Sequence, residues 1–325
     1  MRSLSPFLLE IRYWIIRAVI RLIRFLPYPL LLSFSRFLSM IAYLADPFHR
    51  KVAGIQMSSA LGLRNPWRLV LKVFMNQGDI LVDTIKYAYM STEEIRAKII
   101  VEGREHLDEA LASKRGLLMF TGHIGNWETL SHFSRLLNVE FCIMADVRND
   151  PRLDSIIDEI RSRSGATILP PKGKALMLIK ELRKGRTIGM VVDKRGNLKD
   201  RFFCPIFGIP APTNPAPAFI AIKGNALVLP VYIVKLHGIY HIRILKTVDS
   251  ASFGEGVGAI QALSDFMQTT LASVVEQYPD QWFWLYSRWV RRSDMRRIIR
   301  DGLDFREFVT RHAEEIKLGK AHTEP

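Results

Sequence analysis

Cysteine is almost absent from this 325-residue chain: only Cys142 and Cys204 occur, with no C-x-x-C pair. That excludes a disulfide framework and a zinc knuckle, and it fits a reducing, cytoplasm-facing setting. There is no G-x-S-x-G elbow, and neither cysteine has the local context of a nucleophile, so covalent catalysis by a side chain has no candidate. A phosphate-cradling G-x-x-x-x-G-K-[ST] loop is missing too; "GEGVG" at 254–258 follows no clear strand. Repeats and low-complexity linkers are lacking. Acidic residues are scarce against basic ones, 32 to 46, a formal net charge of +14. Such an excess attracts nucleic-acid phosphates, anionic lipid head groups or an acidic partner protein, and says nothing about fold. The length and the 48% hydrophobic content allow one large domain or two modest ones.

The N-terminal region is strongly apolar over residues 11–47, but Arg12, Arg17, Arg21, Arg24 and Arg36 punctuate it. Glu10 and Arg12 interrupt any signal-peptide core and no small-residue cleavage site follows, so secretion is not expected. Pro27, Pro29 and Arg36 make residues 25–45 a poor spanning helix. On a helix, Arg17, Arg21 and Arg24 fall within about 60° of one another, opposite Trp14 and Ile15. The pattern is that of an amphipathic helix lying in a membrane surface, its arginines snorkelling to anionic head groups. A buried core helix whose arginines reach solvent is the alternative.

Residues 66–98 read as helical. Beyond them short β-rich runs (99–101, 116–120, 141–145, 167–169, 187–192, 226–234 and 241–245) alternate with helical patterns near 126–137, 152–164, 173–184 and 214–223. Such alternation predicts an α/β layered fold. A late helix is expected over 257–278. The uncharged run at 202–222 contains five prolines, which exclude a regular spanning helix; it is expected as an apolar loop that leads into a short helix and walls a pocket for something greasy.

Within "TGHIGNWETL" (121–130), His123 follows the apolar run "GLLMF" and precedes a helical pattern. It therefore belongs to a strand-to-helix turn at the carboxyl edge of the sheet, where open α/β sheets place their ligands. Five residues on a regular helix turn about 140°, so Glu128 faces His123 only because Gly122 and Gly125 let the chain fold back. Glu128 is then expected to accept the Nδ1 proton of His123 and leave Nε2 free as a base. A base without a protein nucleophile makes chemical sense if the substrate brings its own hydroxyl, with backbone N–H groups of the following helix suited to the oxyanion. A metal site drawn from His123, Glu128 and His132 has one carboxylate and no supporting motif, so no metal is expected.

"GHIGNWE" resembles the H-x-x-x-x-[DE] box of the lysophospholipid acyltransferase superfamily, and specifically of the bacterial lipid A late acyltransferases, the lauroyl and myristoyl transferases. "DVRNDPRLDSIIDEIRSRSGA", "GMVVDKRGN", "FGIPAPT" and "PDQWFWLYSRW" are similar to further segments of that family, in its order. The resemblance implies a mixed central sheet flanked by helices, of the glycerol-phosphate-acyltransferase type. It divides the chain into a membrane-associating region (1–55), the α/β acyltransferase domain (56–292) and a charged C-terminal tail (293–325). It implies acyl transfer, with no cofactor, from an acyl thioester of acyl carrier protein or coenzyme A to a hydroxyl of a lipid A precursor at the cytoplasmic face of the inner membrane. By position, His123 is the base and Glu128 its orienting partner. Arg161, Arg163 and Arg148 in the arginine-bearing segment, Asn126 in the histidine string, and Asp193 are the implied substrate contacts, Asp193 holding the arginine or shaping the pocket. Lys194 stands where relatives often carry glutamine and Tyr286 where a histidine is common; neither is expected to touch the chemistry, and both are candidates for changing the acceptor. The F-P-E-G-T box of glycerol-phosphate acyltransferases is missing.

Other readings are a different glycolipid or lysophospholipid acceptor, a non-catalytic lipid-binding relative, and a thioesterase that admits water. "RWVRRSDMRRIIR" (288–300) raises nucleic-acid binding, but no nucleic-acid fold motif accompanies it and none is expected as a partner.

Overall fold

The alternation of apolar runs and amphipathic segments from residue 99 onward resolves into one mixed sheet clad by helices. The computed structural model describes residues 6–144, 150–169 and 174–319. The strands are β1 (Ile99–Glu102), β2 (Leu117–Thr121), β3 (Phe141–Met144), β4 (Thr167–Leu169), β5 (Thr187–Val191), β6 (Phe203–Ile206), β7 (Ile209–Pro212), β8 (Leu227–Leu236), β9 (Ile239–Ile244) and β10 (Val248–Asp249). The main sheet runs β1-β9-β8-β2-β5-β3-β4, with β10 on β8 and with β6 and β7 forming a separate hairpin. Its pairs are parallel except β8–β9 and β10–β8.

The helices are α1 (Pro6–Phe25), α2 (Tyr28–Ala45), α3 (Pro47–Leu61), α4 (Trp67–Ala88), α5 (Thr92–Arg96), α6 (Arg104–Ala112), α7 (Phe133–Leu137), α8 (Pro151–Ser162), α9 (Lys174–Arg183), α10 (Ala216–Gly224), α11 (Gly256–Gln277), α12 (Arg292–Asp301) and α13 (Phe305–Lys317). Strand β2 is buried on both faces, as its unbroken "LLMFT" requires of a central parallel strand. Leu118 and Phe120 enter a core shared with α3, α4 and α9–α13, while Leu117 and Met119 enter a second core with α5–α7.

The proline-rich run is more ordered than its composition suggests. Residues 203–212 are the β6–β7 hairpin, and only the following α10 matches the expected helix. Its prolines fit because a two-stranded hairpin leaves outward positions where no N–H is required; Pro205 sits opposite Pro210. The charged C-terminal region contributes α12 and α13, whose Met295, Ile298, Phe305 and Phe308 join the main core. Their charges lie on the remaining faces.

Helices α1 and α2 turn apolar residues outward: Phe7, Trp14 and Ile15 on α1, Phe34, Phe37 and Ile41 on α2. Among the described residues α2 is the one helix long and apolar enough to cross a membrane. Its inner side is tied along α4, where Arg36 makes a two-pronged ion pair with Asp79 (3.1 and 2.8 Å) and Tyr28 Oη donates to Asp83 at 2.6 Å. The arginines of α1 correct one expectation. Arg17 does not reach outward to head groups; it pairs with Glu159 of α8, and Arg12 pairs with Asp150 at the start of α8. For Arg12 and Arg17 the nearest anions are therefore the protein's own, while Arg21 and Arg24 stay exposed.

Candidate active site

Strands β2 and β5 are parallel neighbours in a register that sets Thr121 opposite Val191. Two residues beyond each stand His123 and Asp193, so the sheet itself brings the two side chains together at its carboxyl edge. His123 Nδ1 lies 2.6 Å from Asp193 Oδ1, and the His123 backbone N–H donates to Asp193 Oδ2 at 2.8 Å. Trp282 Nε1–H also donates to Oδ2, at 2.7 Å. With an acidic acceptor on one side of the ring, the proton belongs on Nδ1 and Nε2 is left as the free base.

The turn that carries His123 depends on its glycines. Gly125 has φ +54°, and a Cβ there would lie 1.8 Å from the Ile233 carbonyl oxygen. At Gly122 a Cβ would meet Leu271 Cδ1 at 2.6 Å and Asp193 Oδ2 at 3.0 Å, so a side chain would press on the carboxylate that holds the histidine.

Burial lowers the basicity of His123, and the charge and hydrogen bond of Asp193 more than reverse it, leaving the imidazole above its ordinary 6.5. Lys194 pulls it down and Glu128 pushes it up by smaller amounts. Asp193, buried, is itself held below the usual carboxylate range: the cost of burial is outweighed by the charge and hydrogen bond of His123 and by the Trp282 N–H.

His123 opens onto a cavity of about 610 Å³. Leu130, Phe141, Ile143, Leu178, Met190 and Ile220 give it apolar walls, and His123, Glu128, Arg161 and Lys194 are among its polar lining. That combination of an apolar interior and a few convergent polar groups is the usual make-up of a small-molecule site. Glu128, on a 3-10 turn (Trp127–His132), accepts two hydrogen bonds from Arg161 of α8, Nε to Oε2 at 3.1 Å and Nη2 to Oε1 at 2.8 Å.

Residues 3–291 match the family described as bacterial lipid A biosynthesis acyltransferase. The chain belongs to that family. It is 24% identical over 195 residues to the phosphatidylinositol mannoside acyltransferase of Mycobacterium tuberculosis (strain ATCC 25618 / H37Rv), covering 59% of this chain and 60% of that protein. To the phosphatidylinositol mannoside acyltransferase of Mycolicibacterium smegmatis it is 26% identical over 201 residues, 59% of this chain and 63% of that one. It thus spans less than two thirds of the length of these curated relatives.

Within this family member the histidine box divides its labour differently from the sequence expectation. Glu128 does not accept the Nδ1 proton of His123; Asp193 does. The turn at Gly125 aims Glu128 towards α8, where Arg161 clamps it, while strand register delivers Asp193 to the ring. Asp193 therefore holds the histidine rather than the arginine, and it is buried. Arg161 lines the cavity beside Glu128. Arg163, two residues on, does not; it lies 4.5 Å above the Tyr89 ring and 3.6 Å from Glu159, because two helical steps carry it round to another face. Asn126 is fully buried and braces the turn, its Oδ1 accepting from Thr84 Oγ1 (3.1 Å) and the Thr129 N–H (3.3 Å), and it does not line the large cavity. Arg148 lies outside the described residues.

In the turn itself the backbone donors are engaged, the His123 N–H by Asp193 and the Gly125 N–H by the Gln281 carbonyl; at the start of the following 3-10 turn the Thr129 N–H is engaged by Asn126. Lys194 and Tyr286, expected to stand apart from the chemistry, both adjoin His123, Lys194 in the large cavity and both in a smaller one. His132 does not line the large cavity, and desolvation takes its pKa down to about 4. Trp282, in the C-terminal "PDQWFWLYSRW" segment, is the second anchor of Asp193; the two lie 89 residues apart, and nothing in the sequence marks that indole N–H as the partner of that carboxylate.

The Glu128–Arg161 pair makes a specific claim. Both groups are partly exposed, so screening limits what either contributes alone. Glu128→Ala and Arg161→Ala are each expected to lower kcat/KM about 10- to 100-fold, with the double variant no worse than the poorer single, as for two partners of one interaction. A loss in Glu128→Ala with a near-normal Arg161→Ala would show that Glu128 acts on His123 directly.

Proposed function

We propose that the chain is an O-acyltransferase that moves a fatty acyl chain from acyl carrier protein to a hydroxyl of a lipid A precursor, at the cytoplasmic face of the inner membrane. What carries this reading is the base: His123, fixed by Asp193, opens onto an apolar cavity, and the sequence supplies no nucleophile for it to activate. In the reaction, Nε2 takes the proton of the acceptor hydroxyl as its oxygen attacks the thioester carbonyl. The tetrahedral oxyanion collapses, the C–S bond breaks, and the imidazolium returns its proton to the departing thiolate. The products are an ester and a free thiol. The acyl chain occupies the apolar cavity, and the Lys194 ammonium, in the polar lining of that cavity, offsets the developing negative charge.

The test is acyl transfer by membranes containing the protein, from labelled acyl-carrier-protein thioester to a tetra-acylated lipid A precursor, with a mannosylated phosphatidylinositol as second acceptor. Ester formed on the lipid A precursor supports the proposal. Ester formed on the mannosylated lipid alone moves the acceptor to the class named in the mycobacterial relatives. Free fatty acid without ester replaces transfer by thioester hydrolysis. With coenzyme A thioester run in parallel, the preferred carrier is read from the relative rates.

The pH dependence follows from the site. Transfer requires neutral His123, whose pKa is raised above 6.5, so kcat/KM is expected to fall as pH drops through a midpoint above 6.5. In Asp193→Ala only burial acts strongly on the ring, and the midpoint of the residual activity is expected below 6.5. A pH profile of both proteins checks this.

We further propose that α1 and α2 seat the enzyme in the plane of the membrane. The support is their shared outward apolar face and the tie of α2 along α4, which leaves only the outer side of α2 for lipid. Trp14, Phe34 and Phe37 are 61%, 60% and 60% exposed. Replacing all three by glutamate is expected to reduce binding to anionic vesicles by at least about tenfold, since each aromatic contributes about 1.5–3 kcal/mol when buried. Unchanged co-sedimentation would exclude this seating.

A further inference from the structure

Arg288 is one of the largest fully buried side chains in the protein, 1% exposed. Its guanidinium meets only neutral acceptors: the Pro212 carbonyl, Thr213 Oγ1 at 2.9 Å and Gln268 Oε1 at 3.4 Å. Nε has no hydrogen-bond partner, and no carboxylate forms an ion pair with Arg288 among the described residues. A buried cation solvated only by a few dipoles is costly unless an opposite charge compensates it. Desolvation brings its pKa down to about 10, and the opposite charge that most opposes this is Asp193.

Two further observations connect them. His123, Asp193 and Arg288 line one small cavity of about 180 Å³, adjoining the acyl cavity at His123. Gln268, which accepts from Arg288, donates through Nε2 to the Val192 carbonyl at 2.9 Å, directly before Asp193.

We propose that Arg288 is a positioning residue for acyl transfer: its buried positive charge is the counter-charge of Asp193 and keeps the His123–Asp193 pair in its proton-accepting state. The pair binds and releases one proton as a unit, whichever atom carries it. A nearby fixed positive charge disfavours the protonated pair, so its loss makes the pair hold the proton more tightly. The other groups facing the pair do not replace it. Lys194 and Glu128 are of opposite sign, and Glu128 is already bound to Arg161. Arg195 is directed to the Ser287 carbonyl, with Tyr286 Oη on its backbone N–H. Tyr232 and Cys204 are kept neutral by burial, the thiol pushed up to about 12.

The experiment has two arms. The first rests on the reading of His123 as the base and compares pH profiles of kcat/KM for the wild type, Arg288→Met and Arg288→Lys. In Arg288→Met the acid limb is expected to move up by about one pH unit, a further tenfold loss below the limb. Arg288→Lys keeps the charge and is expected to hold the limb at the wild-type position even where kcat falls. A limb unmoved in Arg288→Met, or moved equally in both variants, would overturn the proposal and leave Arg288 a packing residue.

The second arm needs no activity. Asp193→Asn leaves Arg288 buried without its counter-charge, so adding Arg288→Met to Asp193→Asn is expected to hold or raise Tm, although Arg288→Met alone lowers it. Losses that simply add would overturn the proposal. A non-additive Tm cycle from a protein with no transfer activity would instead retire the acyltransfer reading and leave the Asp193–Arg288 pairing standing.

Discussion

Asp193→Asn is expected to lower kcat for acyl transfer about 10³- to 10⁴-fold, with KM for the thioester changed only a few-fold, the size of effect seen when a triad aspartate is replaced in a hydrolase. The geometry dictates why. Oδ2 of Asp193 accepts from two fixed donors, the His123 backbone N–H and the Trp282 indole N–H. An asparagine must present its oxygen to those donors, because turning it round would set an NH₂ group against two N–H groups. The NH₂ then faces His123 Nδ1, which has to become an acceptor. The ring proton moves to Nε2, and the atom that should take the hydroxyl proton already holds one. Shape is conserved and the tautomer is inverted. Steady-state kinetics on the purified variant, with Tm to show that it is folded, check this. Activity within tenfold of wild type would mean that Asp193 does not set the tautomer.

That assignment was out of reach of sequence alone for a definite reason. "GLLMF" and "TIGMVV" are readable as strands, and the placing of His123 just past the first follows from them. The pairing of His123 with a residue 70 positions away requires the register of two parallel strands, and a shift of one residue between them would set a different side chain opposite the ring. Glu128, five residues off, is the nearer acid in sequence and lies on the wrong side of a glycine turn. The same limit appears at the N-terminus. Periodicity places Trp14 and Ile15 on the outward face of α1 and arginines on the other, but not the counter-ions, because Asp150 and Glu159 come from a helix more than a hundred residues on. In the proline-rich run composition misleads outright: prolines disfavour central strands, whereas β6 and β7 pair only with each other and tolerate them. Order of elements and the carboxyl-edge position of the site were legible; partners fixed by tertiary register were not.

His123→Ala is expected to abolish transfer to about 10³-fold below wild type or lower, and the double variant His123→Ala/Asp193→Asn to be no worse than His123→Ala alone. A general base contributes about 10²- to 10⁴-fold, and its orienting partner acts only through it, so their effects do not multiply. Loss of the imidazole leaves the apolar cavity intact, since its walls come from β3, α9, α10 and the turn after β2. Binding of a fluorescent fatty acyl thioester should therefore survive in His123→Ala while turnover does not. The comparison separates chemistry from acyl-chain binding: a variant that loses both has lost the cavity, and one that keeps both never needed the histidine. Adding Glu128→Ala to His123→Ala completes the comparison. Glu128 is held by Arg161 on the cavity wall rather than by the ring, so its removal is expected to weaken the thioester binding that His123→Ala alone retains. Asp193→Asn, placed behind the ring and out of the cavity, is expected to leave that binding unchanged.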